Sequence, residues 1–206
     1  MQNALENESA FLRLFFAIPL AQATRESLES LLGHWSIHIP QIRWVNPSQL
    51  HITLHFLGKT PSTSLPLLRE VLEQTAQTHS AFWACLGPLE AFPNRTNPRV
   101  LWVSLKKGAG EIQELVGTLT RLLVERGLST REERTFVAHV TIGRIRAAVP
   151  RPMIRQLLEQ PLCPEPSPFF VDRITLFSST LTPTGPIYRA INEARLSPPT
   201  STEPKC

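Results

Sequence analysis

Cysteine is scarce in this chain: Cys85, Cys163 and Cys206 are the 3 cysteines among 206 residues. Their number is odd, and no two have the Cys-x-x-Cys spacing of many zinc and redox sites. This pattern argues against a disulfide framework and a structural zinc site, and it favours a reducing compartment. Because no cluster of histidine, cysteine or carboxylate residues has metal-ligand spacing, we expect neither a metal ion nor another cofactor.

Long hydrophobic runs are also missing. No apolar stretch approaches the roughly 20 residues that a membrane-spanning helix needs. Residues 11–23 imitate a signal peptide, but Glu6 and Glu8 stand where a basic segment belongs, and Arg13 interrupts the run. We therefore expect a buried strand at this place, no membrane partner and a cytoplasmic location.

Charged residues make up only 18% of the chain, and 21 basic residues against 17 acidic ones give a net charge of +4. A mildly basic protein suits an anionic ligand such as a phosphate or a nucleic acid, although many basic proteins bind neither. The hydrophobic fraction of 42% is ordinary for a globular protein. The length suits one domain, or two small lobes that share an interface.

Patterns of both helices and strands alternate along the chain. Strands are expected at residues 12–18, 51–58, 81–91, 100–105, 136–145, 170–177 and 187–192, and helices at 21–32, 64–78, 111–126 and after Pro150. Gly33 and Gly127 are expected to end the first and third helices. Since several strand pairs are consecutive and hairpin-like, we predict an α+β fold with mainly antiparallel sheets flanked by helices, not a doubly wound parallel sheet.

Two stretches, HITLHFLG from His51 and HVTIGRIR from His139, begin with histidine, an aliphatic residue, threonine and another aliphatic residue. This alternation predicts half-buried strands, in which side chains two apart share a face. His51 and Thr53 then lie on one open face, as do His139 and Thr141, while the aliphatic residues face the core. Two such strands can bring four polar groups into one cleft.

The separation of the motifs along the chain is close to the size of one lobe. We therefore predict two pseudo-symmetric lobes, each contributing one His-x-Thr-x strand to a central cleft. The predicted organisation is a flexible N-terminus at residues 1–11, a single bilobal domain at residues 12–196 and a disordered tail at residues 197–206.

These residues resemble the two-histidine (2H) phosphoesterases, and within them the RNA 2′,3′-cyclic phosphodiesterases, also described as 2′-5′ RNA ligase-like proteins. The resemblance covers about residues 12–192. It rests on both motifs and on their context: RLFFAI near the start, RW before the first motif, FLG after it, PRVLW at 98–102, an arginine five residues after the second histidine, and LFSS followed by GPIY.

The resemblance implies metal-independent opening of a terminal 2′,3′-cyclic phosphate on RNA to a 2′-phosphate, with 2′-5′ ligation as the possible reverse reaction. It implies that His51 is the proton donor and His139 the proton acceptor, and histidine suits both roles because it titrates near neutral pH. Thr53, Thr141 and Arg144 are then the residues that bind the phosphoryl oxygens. The partner is an RNA end with a cyclic phosphate, and we expect a monomer.

Arg144 does not fit a flat strand, because it falls on the face opposite His139. It reaches the cleft only through a bulge or beyond the end of the strand, and Gly143 favours a bulge. His55 shares the expected face of His51 and lies either at the rim of the cleft or against the substrate.

Some further residues keep two interpretations. An aromatic side chain beside a strand either stacks on a base or belongs to the core; this applies to Trp44, Trp102 and Tyr188. A lone arginine either contacts an RNA phosphate or stays solvated; this applies to Arg43, Arg99 and Arg146.

Two other functions remain open. One is an enzyme that cleaves 2′-5′ linkages or cyclic phosphates on small nucleotides. The other is a non-catalytic module that binds RNA ends. The intact His-Thr pair on both strands argues against the module, because binding alone does not need a matched acid and base.

Overall fold

The computed structural model of the chain describes residues 10–130, 135–162, 167–183 and 185–199. Within these ranges the chain forms nine strands and four α-helices. In chain order they are β1 (Phe11–Pro19), α1 (Gln22–His38), β2 (Ile42–Trp44), β3 (His51–Pro61), α2 (Leu65–Gln77), β4 (Phe82–Phe92), β5 (Val100–Lys107), α3 (Ala109–Glu125), β6 (Val140–Ile145), α4 (Arg151–Glu159), β7 (Phe169–Val171), β8 (Arg173–Thr182) and β9 (Gly185–Arg195).

The strands form one sheet in the order β7-β4-β5-β6-β3-β1-β8-β9, and β2 also pairs with β6. Every pairing between these strands is antiparallel. One half of the sheet ends at β6 and the other begins at β3, so the two motif strands form the junction of the lobes. This arrangement confirms the predicted α+β fold and its two-lobed organisation.

The helices cover the sheet with amphipathic faces. In α3 the buried side chains recur every three or four residues, from Ile112 to Leu123, and they pack against β3, β5 and α2. Gly127 ends this helix as predicted, because its φ of 67° is a left-handed conformation that glycine adopts at little cost. No helix in the described ranges has the length and apolar composition needed to cross a membrane.

The prediction that Gly33 ends α1 was wrong. The helix continues to His38, since buried Trp35 extends the apolar face formed by Leu31 and Leu32. Gly33 itself lies on the exposed face, where the helix loses little by the missing side chain. The core contacts of the last turn therefore outweigh the local preference of glycine for a helix end.

The ends of the structured chain differ slightly from the predicted boundaries. Phe11, assigned to the flexible N-terminus, is the first residue of β1. Ser197, assigned to the tail, donates its backbone N–H to His79 and accepts from the backbone N–H of Ala81. Residues 1–9 and 200–206 of the two predicted segments lie outside the described residues.

Cys85 forms a disulfide, so the expectation drawn from cysteine spacing was wrong at this position. The side chain is fully buried in β4. Cysteine spacing in a sequence identifies frameworks of several disulfides and short metal-binding motifs. It does not identify a single disulfide between residues that are far apart in the sequence. The other two cysteines, Cys163 and Cys206, both lie outside the described residues.

Candidate active site

The motif strands β3 and β6 are neighbours, and Ile52 pairs with Val140 across them. Both are second residues of their motifs, and both are fully buried. The fourth residues, Leu54 and Ile142, are buried as well. The aliphatic members of each motif therefore face the core, as the alternation predicted.

This pairing creates a local two-fold relationship between the motifs. Continuing the antiparallel register by one residue on either side sets His51 across from Thr141 and His139 across from Thr53. Each imidazole thus has a threonine two residues along its own strand and another across the strand pair. The four predicted polar groups come together at the junction of the lobes.

A β-bulge in β6 solves the parity problem of Arg144. The neighbouring strand β5 pairs first with Thr141 and then with Gly143, so Ile142 is an extra residue. The extra residue reverses the alternation beyond it, and Arg144 lines the same cleft as Thr141. The bulge that the sequence required for this arginine is present.

A second bulge lies at the same motif position in β3. There β1 pairs with Thr53 and then with His55, so Leu54 is the extra residue. His55 is consequently turned away from the cleft and is only 4% exposed. Phe56 takes the cleft face instead and lines it beside Thr53.

His55 therefore neither lines the rim nor reaches a substrate, and that prediction was wrong. Its Nε2 lies 2.9 Å from the Ser129 hydroxyl, and its Nδ1 lies 3.4 Å from the Thr120 hydroxyl. These partners come from α3 and the segment after it. Alternation alone would put His55 on the same face as His51. Because of the bulge, its side chain instead connects the sheet to α3 and the segment that follows it.

Both motif imidazoles are held in the same way. The Nδ1 atom of His51 lies 2.7 Å from the Gln49 carbonyl oxygen, and that of His139 lies 2.7 Å from the Val137 carbonyl oxygen. A carbonyl oxygen only accepts, so Nδ1 carries the hydrogen in each ring. The proton that each histidine gains or loses is therefore the one on Nε2.

The sequence before His51 places its carbonyl partner. Pro47–Gln49 form a short 3-10 turn, and the Asn46 side chain accepts hydrogen bonds from the backbone N–H and the hydroxyl of Ser48. The turn leaves the Gln49 carbonyl free to accept from the imidazole. On the other side of the ring, Nε2 lies 3.0 Å from the Thr53 hydroxyl oxygen.

Aromatic rings pack against each histidine. Phe15 and Tyr188 lie 5.1 Å and 5.3 Å from the His51 ring, measured between centroids. Phe92 and Trp102 lie 5.2 Å and 5.5 Å from the His139 ring. These contacts restrict the rotation of both imidazoles and take water away from them.

A cleft of about 490 Å³ lies at this place. It is lined by His51, Thr53, Thr141 and Arg144, together with three further arginines and several aromatic residues. His139 is not among the side chains that line it. It lies just before β6 and packs against Phe92 and Trp102. Four of the five predicted site residues thus share the cleft, and the fifth is adjacent to them.

The cleft is strongly basic. Arg13, Arg43, Arg144 and Arg146 line it, and none of the described residues that line it is acidic. Arg43 and Arg144 pair directly across β2 and β6. Arginines held this close without a carboxylate create a positive potential that favours an anion with more than one charged oxygen.

The electrostatics of the cleft favour neutral imidazoles. Burial lowers the pKa of His51, the Gln49 carbonyl opposes this, and the charge of protonated His139 lowers the pKa further. Burial also lowers the pKa of His139, the Val137 carbonyl opposes it, and the Arg144 guanidinium adds to the decrease. A bound anion would act in the opposite direction on both rings.

The residues with two interpretations divide between cleft and core. Trp44 and Tyr188 line the cleft. Trp102 is 8% exposed and stacks on Phe92, so it belongs to the core. Arg43 and Arg146 line the cleft and Arg99 does not. The alternation of side chains along β3 did not predict that Phe56 lines the cleft. Comparison of the two motifs could have predicted it, because Phe56 is the sixth residue from His51 and Arg144 is the sixth from His139.

Within the described ranges, no group of three or more histidine, cysteine or carboxylate side chains is close enough to hold a metal ion.

Comparison with known proteins gives a consistent result. The family model of the 2′-5′ RNA ligase superfamily matches residues 22–182. An RNA 2′,3′-cyclic phosphodiesterase of Aquifex aeolicus is 34% identical over 152 residues, which cover 73% of this chain and 80% of the relative. A protein of the same name from Archaeoglobus fulgidus is 31% identical over 178 residues, covering 86% and 97%. A solved structure from Thermus thermophilus has a TM-score of 0.74 and 25% identity, and the match covers 91% of this chain and 99% of that one.

Proposed function

This chain belongs to the 2′-5′ RNA ligase superfamily, and from that premise we propose that it is an RNA 2′,3′-cyclic phosphodiesterase. The enzyme opens a terminal 2′,3′-cyclic phosphate to a 2′-phosphate and uses two histidines without a metal ion. The names of the relatives support the substrate class, and the site supports the chemistry.

One observation carries the proposal: two imidazoles at equivalent positions of the two paired motifs, each with its Nδ1–H fixed by a carbonyl oxygen 2.7 Å away. Both Nε2 atoms are therefore available for proton transfer. Opening a cyclic phosphodiester needs one group that gives a proton and one that takes a proton, on opposite sides of phosphorus. A binding site alone would not need both.

In the proposed reaction neutral His139 removes a proton from water through Nε2 as the water oxygen bonds to phosphorus. The bond between phosphorus and the ribose 3′ oxygen breaks, and protonated His51 gives that oxygen its Nε2 proton. The products are a 3′ hydroxyl and a 2′-phosphate. His51 is then neutral and His139 protonated, and proton exchange with solvent restores the starting state.

The threonines and Arg144 stabilise the charge that builds on the non-bridging oxygens. Thr53 has a switchable role, because its hydroxyl donates to neutral His51 across the 3.0 Å contact. When His51 is protonated, its Nε2 no longer accepts, so the Thr53 hydroxyl hydrogen turns toward the cleft and the Nε2–H is left for the ribose oxygen. Protonation of the acid thereby prepares the donor for the phosphoryl group.

An oligonucleotide that ends in a 2′,3′-cyclic phosphate tests the proposal. Purified protein in excess EDTA should convert it completely to a phosphomonoester. Alkaline phosphatase detects the conversion, because it removes a terminal phosphomonoester and leaves a cyclic phosphate in place. Loss of activity on chelation, restored by a divalent ion, would contradict the metal-free mechanism.

The same preparation separates the alternatives. Turnover of 2′-5′-linked dinucleotides or of free cyclic nucleotides, with the oligonucleotide left intact, would assign the other phosphodiesterase activity. Tight binding of the oligonucleotide without product would indicate a module that recognises RNA ends.

A further inference from the structure

A second cavity lies outside the cleft and has no part in the proposed reaction. Its volume is about 530 Å³, and it lies between residues 95–98 and α4. Ile145 and Ala147 line it, whereas Arg144 and Arg146 line the cleft. Because neighbouring side chains along an extended strand point to opposite faces, the cavity and the cleft lie on opposite faces of the chain at the end of β6.

The second cavity combines apolar and basic side chains. Ile154 and Leu158 are buried, while Arg151 and Arg155 are exposed. Among the described residues that line the cavity, Glu159 is the single acidic side chain, against three arginines. An apolar pocket with a few converging polar groups is typical of a ligand site, and the excess of positive charge favours an anion.

The third arginine of the cavity, Arg95, holds its walls together. Its Nη1 donates to the Leu89 carbonyl oxygen at 3.2 Å and to the Glu90 carboxylate at 2.9 Å. Its Nη2 donates to the Leu158 carbonyl oxygen at 3.0 Å. These bonds connect β4 to the end of α4. Since Glu90 balances the charge of Arg95, the attraction for an anion comes mainly from the arginines of α4.

Arg151 and Arg155 have no such acidic partner. They are four residues apart in α4, so their side chains lie on the same face of the helix. No carboxylate of the described residues forms an ion pair with either of them, and this includes Glu159, one turn beyond Arg155. Two like charges at this spacing destabilise a helix. A phosphate group bound between the two guanidinium groups removes that repulsion.

The cavity is close enough to the cleft for one RNA strand to reach both. Arg144 and Ala147 are three positions apart in the sequence, so their backbones are at most about 10 Å apart. Arg146, Ala147 and Ala148 are all exposed, and the two alanines are too small to block a strand that crosses the chain here. A strand that leaves the cleft beside Arg146 therefore reaches the cavity within a few nucleotides.

We propose that this cavity is a second phosphate-binding site, in which Arg151 and Arg155 bind a backbone phosphate of the RNA upstream of its cyclic end. The inference rests on the proposed function, which places that end in the cleft. A contact to a backbone phosphate strengthens binding without reading the base sequence. The affinity of the protein for an RNA end therefore depends on the length of the RNA.

Binding of RNA that ends in a 2′-phosphate tests this site without turnover. We would measure the affinities of a dinucleotide, which is too short to leave the cleft, and of a dodecanucleotide for the wild type and for Arg151→Gln/Arg155→Gln. The double variant should bind the dodecanucleotide about tenfold more weakly and the dinucleotide within about twofold of the wild type. The slope of log K against log salt concentration should become shallower by about 0.7 for the dodecanucleotide, as expected for one lost phosphate contact.

Arg69→Gln is the matched control for the loss of charge. Arg69 is an exposed residue of α2, it lines neither the cleft nor the second cavity, and it forms no ion pair with a carboxylate of the described residues. Its replacement should leave both affinities within about twofold of the wild type.

An equal loss for both RNAs in the double variant, or an unchanged affinity for the dodecanucleotide, would overturn the second site. If the dodecanucleotide were unaffected but inorganic pyrophosphate bound more weakly, the cavity would take a free anion and the assignment to RNA would be wrong. These measurements are independent of catalysis. A protein that binds as expected but does not open cyclic phosphates would contradict the proposed function and leave the second site standing.

Discussion

Ile52 and Val140 face each other across β3 and β6, and both are fully buried. This pair joins the two lobes and sets the register of both motifs at once. Because each residue is flanked by its own histidine and threonine, fixing the pair fixes four polar side chains. The geometry of the proposed site thus depends on an apolar pair that is buried away from the cleft.

Replacing either motif histidine should abolish most activity without unfolding the protein. His51→Ala and His139→Ala each remove a proton-transfer group, so kcat should fall about 10²–10⁴-fold. His79→Ala is a matched control, since burial lowers the pKa of this histidine too and its Nε2 bonds Thr118 rather than the cleft. A folded His139→Ala enzyme at the wild-type rate would remove that residue from the mechanism.

The pH dependence of kcat/KM should be bell-shaped, with its maximum below about pH 6.5, the ordinary pKa of histidine. His139 must be neutral, which sets the acidic limb, and His51 must be protonated, which sets the basic limb. Burial lowers the pKa of both groups, so both limbs move to lower pH. The two apparent values belong to the coupled pair rather than to single residues.

The profile of kcat should lie at higher pH than that of kcat/KM. The first reports the complex and the second the free enzyme, and a bound phosphodiester anion favours protonated imidazoles. Steady-state rates from about pH 5 to 9 check both statements. A flat profile, or a maximum of kcat/KM above about pH 7.5, would show that other groups or a non-chemical step control the rate.

Alternation predicted the faces of the motif residues but not those of His55 and Phe56, which follow the first motif. Alternation is a local pattern, so it correctly assigned His51 and Thr53 to one face. A bulge depends on the pairing with β1 or β5, and no local pattern in β3 announces it. Extending the strict alternation of β3 beyond Leu54 therefore predicts that His55 faces the cleft, whereas Phe56 does.

The ends of α1 and α3 likewise depend on tertiary packing as well as on the local sequence. Gly127 and Gly33 both come after a run of apolar periodic residues, and the sequence treats them alike. Gly127 ends its helix, whereas the chain passes through Gly33 because Trp35 is buried in the turn after it. The residue type sets a preference, and the packing beyond it decides the outcome.

Gly143→Ala should destabilise the protein and lower its activity. A Cβ at this position would lie 2.7 Å from Cγ2 of Ile42, which is buried, so β2 or β6 must shift. Overpacking of this kind costs about 1–3 kcal/mol, and the shift would displace the adjacent Arg144. Urea unfolding measures the first effect and kcat/KM the second.

Gly117→Ala provides the control for Gly143→Ala. It lies in α3 with open space around its Cβ position, so the helix should gain about 0.5–1 kcal/mol. Equal stability changes in the two variants would refute a steric role for Gly143.

The last prediction concerns the bond that breaks. If protonated His51 lies beside the ribose 3′ oxygen, that oxygen leaves and the phosphate stays on the 2′ oxygen. Thr53 and Thr141 bind the non-bridging oxygens, which are the same whichever ester bond opens. Thr53→Val and Thr141→Val should therefore each slow turnover about 10²–10³-fold, as removal of an oxyanion donor typically does, and leave the product unchanged.

Product analysis by phosphorus NMR or by chromatography against 2′- and 3′-phosphate standards decides the question. Wild-type protein and both threonine variants should yield the 2′-phosphate. A predominant 3′-phosphate from the wild type would mean that the ribose lies the other way round, with its 2′ oxygen beside the acid. If a threonine variant alone changed the product, its hydroxyl would orient the ribose rather than stabilise charge, because only reorientation of the sugar exchanges the two ester oxygens.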